Sequence, residues 1–226
     1  FGLESLAADP LFVLLCGGVI PSLDTTYRDL ARFDDETIEQ LEGMMAEHGL
    51  AEVRRTKKLR TAHLDIDTTV IPLFGEHEGA LPGYNPHYPG RPSYHPILAR
   101  IAETDTCVGA RLSPGDTAFG AADVPDIEAW IDRTRLAVGP DCLLYVRIDG
   151  VADCGDIMAA IEAKGAFFLT KARMTPDLCS AVAFVPRWKT VDWDADGKPL
   201  RQVATVGFAR KEWQERGLKV RVVAVR

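Results

Sequence analysis

The chain has 226 residues, of which 46% are hydrophobic and 26% are charged, and its formal net charge is −7. This composition is that of a globular protein and excludes a disordered or fibrous chain. The longest nearly uncharged apolar run, Pro10–Leu23, contains glycine and proline and is shorter than the roughly 18 residues that a membrane-spanning helix needs. We therefore expect a soluble protein with no membrane partner, and no basic segment of a signal peptide precedes the run.

The five cysteines are widely spaced and form no C-x-x-C pair. This spacing argues against a disulfide framework or a zinc site and indicates a reducing compartment. The negative net charge counts against a nucleic-acid partner, because neutralising phosphates requires clustered lysine and arginine. One such cluster is present, and it predicts either a solvated linker surface or a DNA contact. Its five cations are Arg54, Arg55, Lys57, Lys58 and Arg60.

The first 50 or so residues predict a small helical region. Thr25 or Thr26 is a candidate N-cap for a short helix, and Asp34 or Asp35 for a second helix that ends at Gly49. Residues 51–61 then form the basic connector. The region is expected to pack against the rest of the chain or to contact DNA, and not to catalyse.

From Thr61 the pattern changes to strands, and alternation over Leu64–Val70 places Asp65 and Asp67 on one strand face. Two acids on one face are typical of a strand that carries the first carboxylate of a metal-dependent phosphoryl-transfer site. They are also typical of a strand face exposed to water. The motif by itself leaves both interpretations open.

The stretch 74–96 is rich in glycine, proline, histidine and tyrosine. This composition predicts an ordered loop or irregular hairpin, and neither a helix nor a central strand. His77, His87 and His95 lie ten and eight positions apart, which does not match a compact zinc signature. We expect structural roles for these histidines.

The next segments predict a mixed sheet that ends in strand–helix–strand crossovers. Asp149 ends one of its strands, and ligands of open sheets bind beyond the carboxyl ends of strands. We therefore expect Asp67 and Asp149 to lie at one sheet edge. The predicted elements are a hairpin of strands 97–102 and 106–112, a helix over 126–138, a strand over 142–149 covered on both faces, a helix over 156–164 and a buried strand over 166–171.

Residues 183–226 predict a largely β region, with strands at 183–187, 202–209 and 220–225 and a turn at 194–197. Trp188, Trp193 and Trp213 alternate along this region with lysine and arginine. That pattern suits stacking on nucleic acid, and ordinary sheet packing explains it equally. The chain begins without Met and ends within an alternating run, so a fragment is expected.

These residues together resemble the DDE-type transposases of bacterial insertion sequences, over about residues 20–180. Leu64–Val70 is similar to the first-strand motif of that family, and Val146–Asp149 to the strand that carries its second acid. Further segments are similar to those of one subgroup. They are Gly75–Ala80, Gly83–Asn85 and Gly90–Pro96, whereas Ala110–Asp116 is similar to the second strand and turn of the family's hairpin.

The resemblance implies an α/β, RNase H-like (retroviral-integrase) fold. This is a mixed sheet, a hairpin plus parallel strands, flanked by helices, with a small helical N-terminal region and a β-rich insertion near the C-terminus. We expect residues 1–58 to form the helical region and basic connector and residues 59–182 the catalytic core. Residues 183–226 are expected to form the insertion, truncated before the last core helix.

The resemblance also implies two Mg²⁺ or Mn²⁺ ions bound by acidic residues. Asp67 is expected to bridge the ions and Asp149 to complete one site, with Asp65 as an outer-shell partner. The third acid, a Glu after the insertion, is expected beyond Arg226 and is assigned to no Glu of this chain. The family usually has Ser-Gly-Phe after the second acid, whereas Gly150–Ala152 follows it here.

The activity implied by the resemblance is DNA cleavage and strand transfer at the ends of an insertion sequence. Double-stranded DNA, both transposon ends and target, is the expected partner. A homodimer is expected in the DNA complex, in the bacterial cytoplasm and on the nucleoid when bound. The alternatives are a catalytically inactive DNA-binding remnant and a stand-alone RNase H-like nuclease. Candidate DNA contacts are Arg54, Arg55, Lys57, Lys58, Arg60, Arg91, Lys171 and Arg173.

Overall fold

The computed structural model describes residues 5–55, 58–150 and 153–226. The chain forms two units, Phe1–Glu47 and His48–Arg226, and the boundary between them falls inside a helix. The three-part division of the chain given above stays a prediction.

The first unit contains helices α1 (Pro10–Leu15), α2 (Leu23–Leu30) and the first part of α3 (Asp35–Arg55). Side-chain oxygens satisfy the free N–H groups at each helix start. Asp9 caps α1, and Ser22 caps α2 instead of the predicted Thr25 or Thr26. Asp34 caps α3 as predicted, because its carboxylate accepts the Thr37 N–H at 2.9 Å.

Helix α3 continues to Arg55, so the predicted end at Gly49 is wrong. Gly49 is a packing glycine, since a Cβ there would lie 2.6 Å from the Thr106 side chain. Beyond it, Leu50 and Val53 are buried in the core of the second unit. The glycine therefore allows the helix to approach the sheet, and the basic connector is correspondingly shorter than predicted.

The second unit is built on a seven-stranded mixed sheet. Five strands lie in the order β5-β4-β1-β6-β7, and β2 and β3 pair with the start of β4. β1 is antiparallel to β4 and parallel to β6, which is parallel to β7. The strands are β1 (Thr61–Thr68), β2 (Ile71–Pro72), β3 (Leu81–Pro82), β4 (Pro92–Ile101), β5 (Thr106–Pro114), β6 (Leu143–Ile148) and β7 (Phe167–Thr170).

Helices α4 (Val124–Val138) and α5 (Gly155–Ala163) pack against the sheet, close to their predicted positions. Burial of each large apolar side chain contributes about 1.5–3 kcal/mol. Gly109 of β5 packs closely against the Trp130 indole of α4. Arg111 of β5 forms ion pairs with Asp123 and Asp126, at the start of α4. The sheet and helices meet through Leu64, Ile66, Ile101, Leu144, Val146, Ile127, Ile131, Ile157 and Ile161.

Strand β6 is covered on one face only, in contrast to the prediction of burial on both. Leu144, Val146 and Ile148 are buried, whereas Leu143 is 50% exposed. β7 was predicted as a buried strand and is instead at the sheet edge, with Phe167 52% exposed. Apolar residues on both faces of a strand therefore do not indicate burial of both faces here.

The hairpin of β4 and β5 is confirmed, but β4 begins at Pro92 and extends into the predicted loop. The structure accommodates both prolines of this stretch, which lack an N–H. Pro92 is the first residue of β4, and Pro96 lies opposite the break between β1 and β2. Each still accepts a hydrogen bond through its carbonyl oxygen, from Leu73 N–H and Thr69 N–H respectively.

The C-terminal region contains a small antiparallel sheet in the order β10-β9-β8. The strand predicted at 183–187 is wrong, because α6 occupies the residues up to Ala183 and β8 starts only at Lys189. The turn at 194–197 is confirmed. The elements are α6 (Pro176–Ala183), β8 (Lys189–Trp193), β9 (Pro199–Val206), α7 (Lys211–Glu215) and β10 (Val222–Val225).

This architecture confirms the expected fold class: a mixed α/β sheet flanked by helices, with N-terminal helices and a small C-terminal antiparallel sheet. Among the described residues, no helix combines the length and the apolar character that crossing a bilayer requires.

Replacing Gly109 with alanine is expected to destabilise the protein, because the new Cβ would lie 1.8 Å from the Trp130 indole nitrogen. Overpacking of this kind costs about 1–3 kcal/mol. Urea unfolding measures the change. Gly207→Ala is the matched control, since no atom lies within 4 Å of a Cβ there. Equal destabilisation of both variants would contradict the packing role of Gly109.

Glu103, in the turn of the hairpin, accepts hydrogen bonds from the His63 backbone N–H at 3.0 Å and from the His63 ring at 2.5 Å. Partial burial raises the pKa of Glu103, but the two hydrogen bonds to His63 outweigh burial and hold the pKa below its ordinary value. A carboxyl group with a lowered pKa stabilises the fold above its unfolded-state pKa and loses this contribution as the pH falls through its folded-state pKa.

The Glu103→Gln variant is therefore expected to be about 1–3 kcal/mol less stable than the wild type at neutral pH. This difference should shrink as the pH falls below about 4, where Glu103 of the unfolded wild type takes up a proton. Urea unfolding of both proteins at a series of pH values measures it. A difference that persists undiminished in acid would show that the charge of Glu103 is not its cause.

Candidate functional site

The pairing of β1 with β6 brings Asp67 and Asp149 side by side at the carboxyl ends of these two neighbouring strands, which we call the aspartate edge of the sheet. The strands are parallel and in register through Ile66 and Ile148, and each aspartate is the next residue in its strand direction. Adjacent strands lie about 4.8 Å apart, so the two side chains emerge at the same level from neighbouring strand ends. Both residues are exposed.

Asp65 lies on the same face of β1 as Asp67, one pleat further from the edge. Both of its carboxylate oxygens accept hydrogen bonds from Arg147 of β6, at 2.5 and 2.6 Å. This interaction raises the pKa of the Arg147 guanidinium. Asp65 is thus committed to a bidentate ion pair, whereas Asp67 has no ion pair among the described residues and accepts only the Thr68 N–H.

Asp149 lies against the end of β7. Its backbone carbonyl accepts a hydrogen bond from the Thr170 hydroxyl at 3.0 Å. Its carboxylate lies 3.8 Å from the Lys171 ammonium, and both side chains are largely exposed. Lys171 is therefore the predicted DNA contact that the structure brings to the aspartate pair.

The described residues of the basic cluster before β1 lie toward the other, amino ends of β1 and β6. Arg60 immediately precedes β1, and its carbonyl accepts the N–H of Leu143 at the start of β6. Eight residues of strand, roughly 26 Å, separate these amino ends from the carboxyl end of β1. Arg54 binds the Leu136 carbonyl at the end of α4, and Arg55 lies 3.6 Å from Glu52. Lys58 is exposed, and Lys57 lies outside the described residues.

Arg91 lies beyond the carboxyl end of β1, because the antiparallel strand β4 starts well past that end. It immediately precedes β4, whose Leu98 pairs with Asp67, so roughly 23 Å of strand separates them. Its guanidinium lies over the Phe74 ring at 4.1 Å and over the Tyr88 ring at 5.4 Å. Arg91 and the aspartate pair therefore do not form one site.

Polar side chains of the stretch 74–91 and of β4 bind the backbone of this loop. The His95 ring nitrogens face the carbonyl oxygens of Tyr84 and Thr117, at 3.1 and 3.3 Å. Asn85 is buried, and its side chain accepts the N–H groups of His87 and Tyr88. The family-like segments thus contribute to loop structure, and His95 has the structural role expected for it.

Sequence reasoning missed a buried ion pair next to Asp149. The Asp153 carboxylate lies 2.7 Å from the Arg210 guanidinium and also accepts the Arg173 N–H at 2.6 Å. Arg210 in turn donates to the Arg173 carbonyl at 3.0 Å. Asp153 follows the predicted second acid by four positions, but nothing in the sequence pairs it with a residue 57 positions later.

Glu212 does not join the aspartates. Its carboxylate accepts the N–H of Gly155, the first residue of α5, at 3.1 Å, and this contact caps a helix that has no side-chain cap of its own. Within residues 5–55, 58–150 and 153–226, no three His, Cys, Asp or Glu side chains cluster in a way that could hold a metal ion. Among the described residues, no third acid, histidine or cysteine therefore joins Asp67 and Asp149 in such a cluster.

Residues 2–224 match the family described as "Transposase DDE domain group 1". A similar solved structure is a piggyBac transposase synaptic complex with hairpin DNA, at 13% sequence identity and a TM-score of 0.37. That match covers 69% of this chain and 32% of the other, so the chain spans about a third of that transposase. No curated protein sequence matches the chain.

Proposed function

Because the chain belongs to the Transposase DDE domain group 1 family, we propose that it catalyses metal-dependent cleavage and transfer of DNA strands at the ends of an insertion sequence. The observation that supports this activity is the position of Asp67 and Asp149, at the same level on the ends of two adjacent parallel strands. Two carboxylates at one sheet edge are a suitable anchor for divalent cations that act on phosphate groups.

The aspartates fit Mg²⁺ or Mn²⁺, which prefer carboxylate oxygens. Two such ions activate an attacking water or 3′-hydroxyl and stabilise the leaving oxygen in phosphoryl transfer. In our proposal Asp67 and Asp149 would hold these ions. The bidentate pair with Arg147 makes Asp65 a support for the strand end, consistent with an outer-shell role. A third acid is not assigned within residues 1–226.

Two cations that follow β7 place positive charge beside the two aspartates. Lys171 is next to Asp149, and Arg173 is exposed two residues later. We propose that both contact phosphates flanking the reacting one, and that Arg91 contacts DNA further along. The described residues of the basic cluster at residues 54–60 lie toward the amino ends of β1 and β6 and would require a separate stretch of DNA. Homodimer formation in the DNA complex and a cytoplasmic location are also proposals.

The substitutions Asp67→Asn and Asp149→Asn are each expected to weaken Mn²⁺ binding at the carboxyl ends of β1 and β6, and to slow Mn²⁺-dependent nicking of supercoiled plasmid DNA in a protein that also carries a third acid. Removal of a supporting residue typically costs 10–100-fold, so removal of a ligand should cost at least about 100-fold in either measurement. Titration calorimetry and gel analysis provide the two measurements. Asp141→Asn is the matched control, since Asp141 is exposed at the other end of β6.

Unchanged Mn²⁺ binding in Asp67→Asn and Asp149→Asn would exclude this site. Mn²⁺ binding without nicking, in a protein that also carries a third acid, would instead favour the inactive DNA-binding remnant, for which the departure at Gly150–Ala152 is the specific observation. Joining of a pre-cut DNA end to plasmid DNA distinguishes a transposase from a nuclease. A protein that nicks but never joins is the stand-alone nuclease.

A further inference from the structure

The segment that follows β7 is held at both ends. Before Lys171, the Thr170 hydroxyl donates to the Asp149 carbonyl. After Lys171, the Arg173 N–H donates to Asp153 and the Arg173 carbonyl accepts from Arg210. We propose that Asp153 and Arg210 are positioning residues that hold Lys171 and Arg173 beside the aspartate pair, where the two cations bind the DNA backbone. This inference rests on the proposed function.

The burial of the ion pair supports a role in geometry. The Asp153 side chain is fully buried and that of Arg210 is 18% exposed. Within the described part of the chain, one oxygen of Asp153 and the Nε of Arg210 have no hydrogen-bond partner. A buried ion pair of this kind contributes little net stability compared with an apolar pair of similar volume. What it does provide is orientation, because it binds both the N–H and the carbonyl of one residue, Arg173.

The pair also connects the β-rich C-terminal region to the site. Arg210 immediately precedes α7, and its guanidinium lies 4.8 Å from the ring of Trp213, which is buried. Phe208, just after β9, packs edge-on against the same ring at 6.0 Å. The C-terminal region therefore holds the Arg210 side chain in place, and Arg210 in turn holds the Arg173 backbone. The region thus contributes to the site although it places no acid there.

The chain provides a matched control. Asp156 and Arg216 form a second ion pair between α5 and α7, at 2.5 Å, with both side chains more than a third exposed. The described contacts of Asp156 and Arg216 do not include the segment from Thr170 to Arg173. The substitutions Asp153→Asn and Asp156→Asn therefore each remove one negative charge from an ion pair. Both pairs join the start of α5 to a residue that flanks α7.

The experiment measures binding of a fluorescent DNA duplex in EDTA, as a function of salt from about 50 to about 200 mM. Charge alone predicts that both substitutions strengthen binding, because each removes a negative charge. We expect Asp156→Asn to follow this rule. Asp153→Asn should instead weaken binding and reduce the slope of log K against log salt by about 0.9 for each phosphate that is no longer neutralised, thus by up to about 1.8 for the two cations.

The effect of Asp153→Asn on DNA binding should depend on the presence of Lys171 and Arg173. In a protein that already carries Lys171→Gln and Arg173→Gln, Asp153→Asn is expected to reduce the slope no further, because neither side chain can then neutralise a phosphate. A thermal melt shows whether each variant is folded. If Asp153→Asn fails to fold, Arg210→Lys takes its place, since it keeps the charge and removes the two-directional hydrogen bonding of the guanidinium.

Equal slopes for wild type, Asp153→Asn and Asp156→Asn would overturn the positioning role, as would a full further reduction in the Lys171→Gln, Arg173→Gln background. These results leave the proposed function standing if the wild type still nicks plasmid DNA in Mn²⁺. A protein that also carries a third acid and binds the duplex but never nicks, with the slope change present in Asp153→Asn, would overturn the proposed activity alone. A wild type that does not bind the duplex overturns both.

Discussion

The parallel pairing of β1 with β6 is the interaction on which the rest of the second unit depends. Side chains alternate between the two faces of a strand, so a shift of one residue in either strand would exchange the buried and exposed sets. Burial of Ile66 and Ile148 against the helices fixes the register. The same register places Asp67 and Asp149 on the exposed side at the strand ends. Packing of the core thus determines the geometry of the candidate site.

The cations predicted to bind DNA lie at different ends of the sheet strands. The net charge is −7, and the cations predicted to contact DNA include a group whose described members, Arg54, Arg55, Lys58 and Arg60, lie toward the amino ends of β1 and β6, and a pair, Lys171 and Arg173, just beyond the carboxyl end of β7. Only the second group lies beside the aspartates. Asp153 and Arg210, which contact the Arg173 backbone, form a buried ion pair, and a pair of this kind generally contributes little net stability compared with apolar residues of similar volume.

The unusual composition of residues 74–96 serves structure. Prolines occupy positions of β4 where no N–H is needed, and His95 and Asn85 use their side chains to bind loop backbone. Gly83 approaches the Gly115 backbone so closely that a Cβ would lie 1.6 Å from its carbonyl oxygen. A motif that identifies a family can therefore reflect a demanding loop and need not mark residues that touch the substrate.

The sequence by itself determined the first strand, the hairpin, the helix over 126–138 and the position of Asp67 and Asp149 near strand ends, because these are local patterns of alternation, turn residues and helical spacing. It also contained a signal for α6 that was not used, since Thr175 before Pro176 is a helix start. Only the tertiary structure decided that Gly49 lies inside a helix and that β6 and β7 have an exposed face. It also decided which cations reach Asp149 and that Asp153 pairs with Arg210. These properties depend on residues distant in sequence that meet in space, and no local period or spacing encodes them.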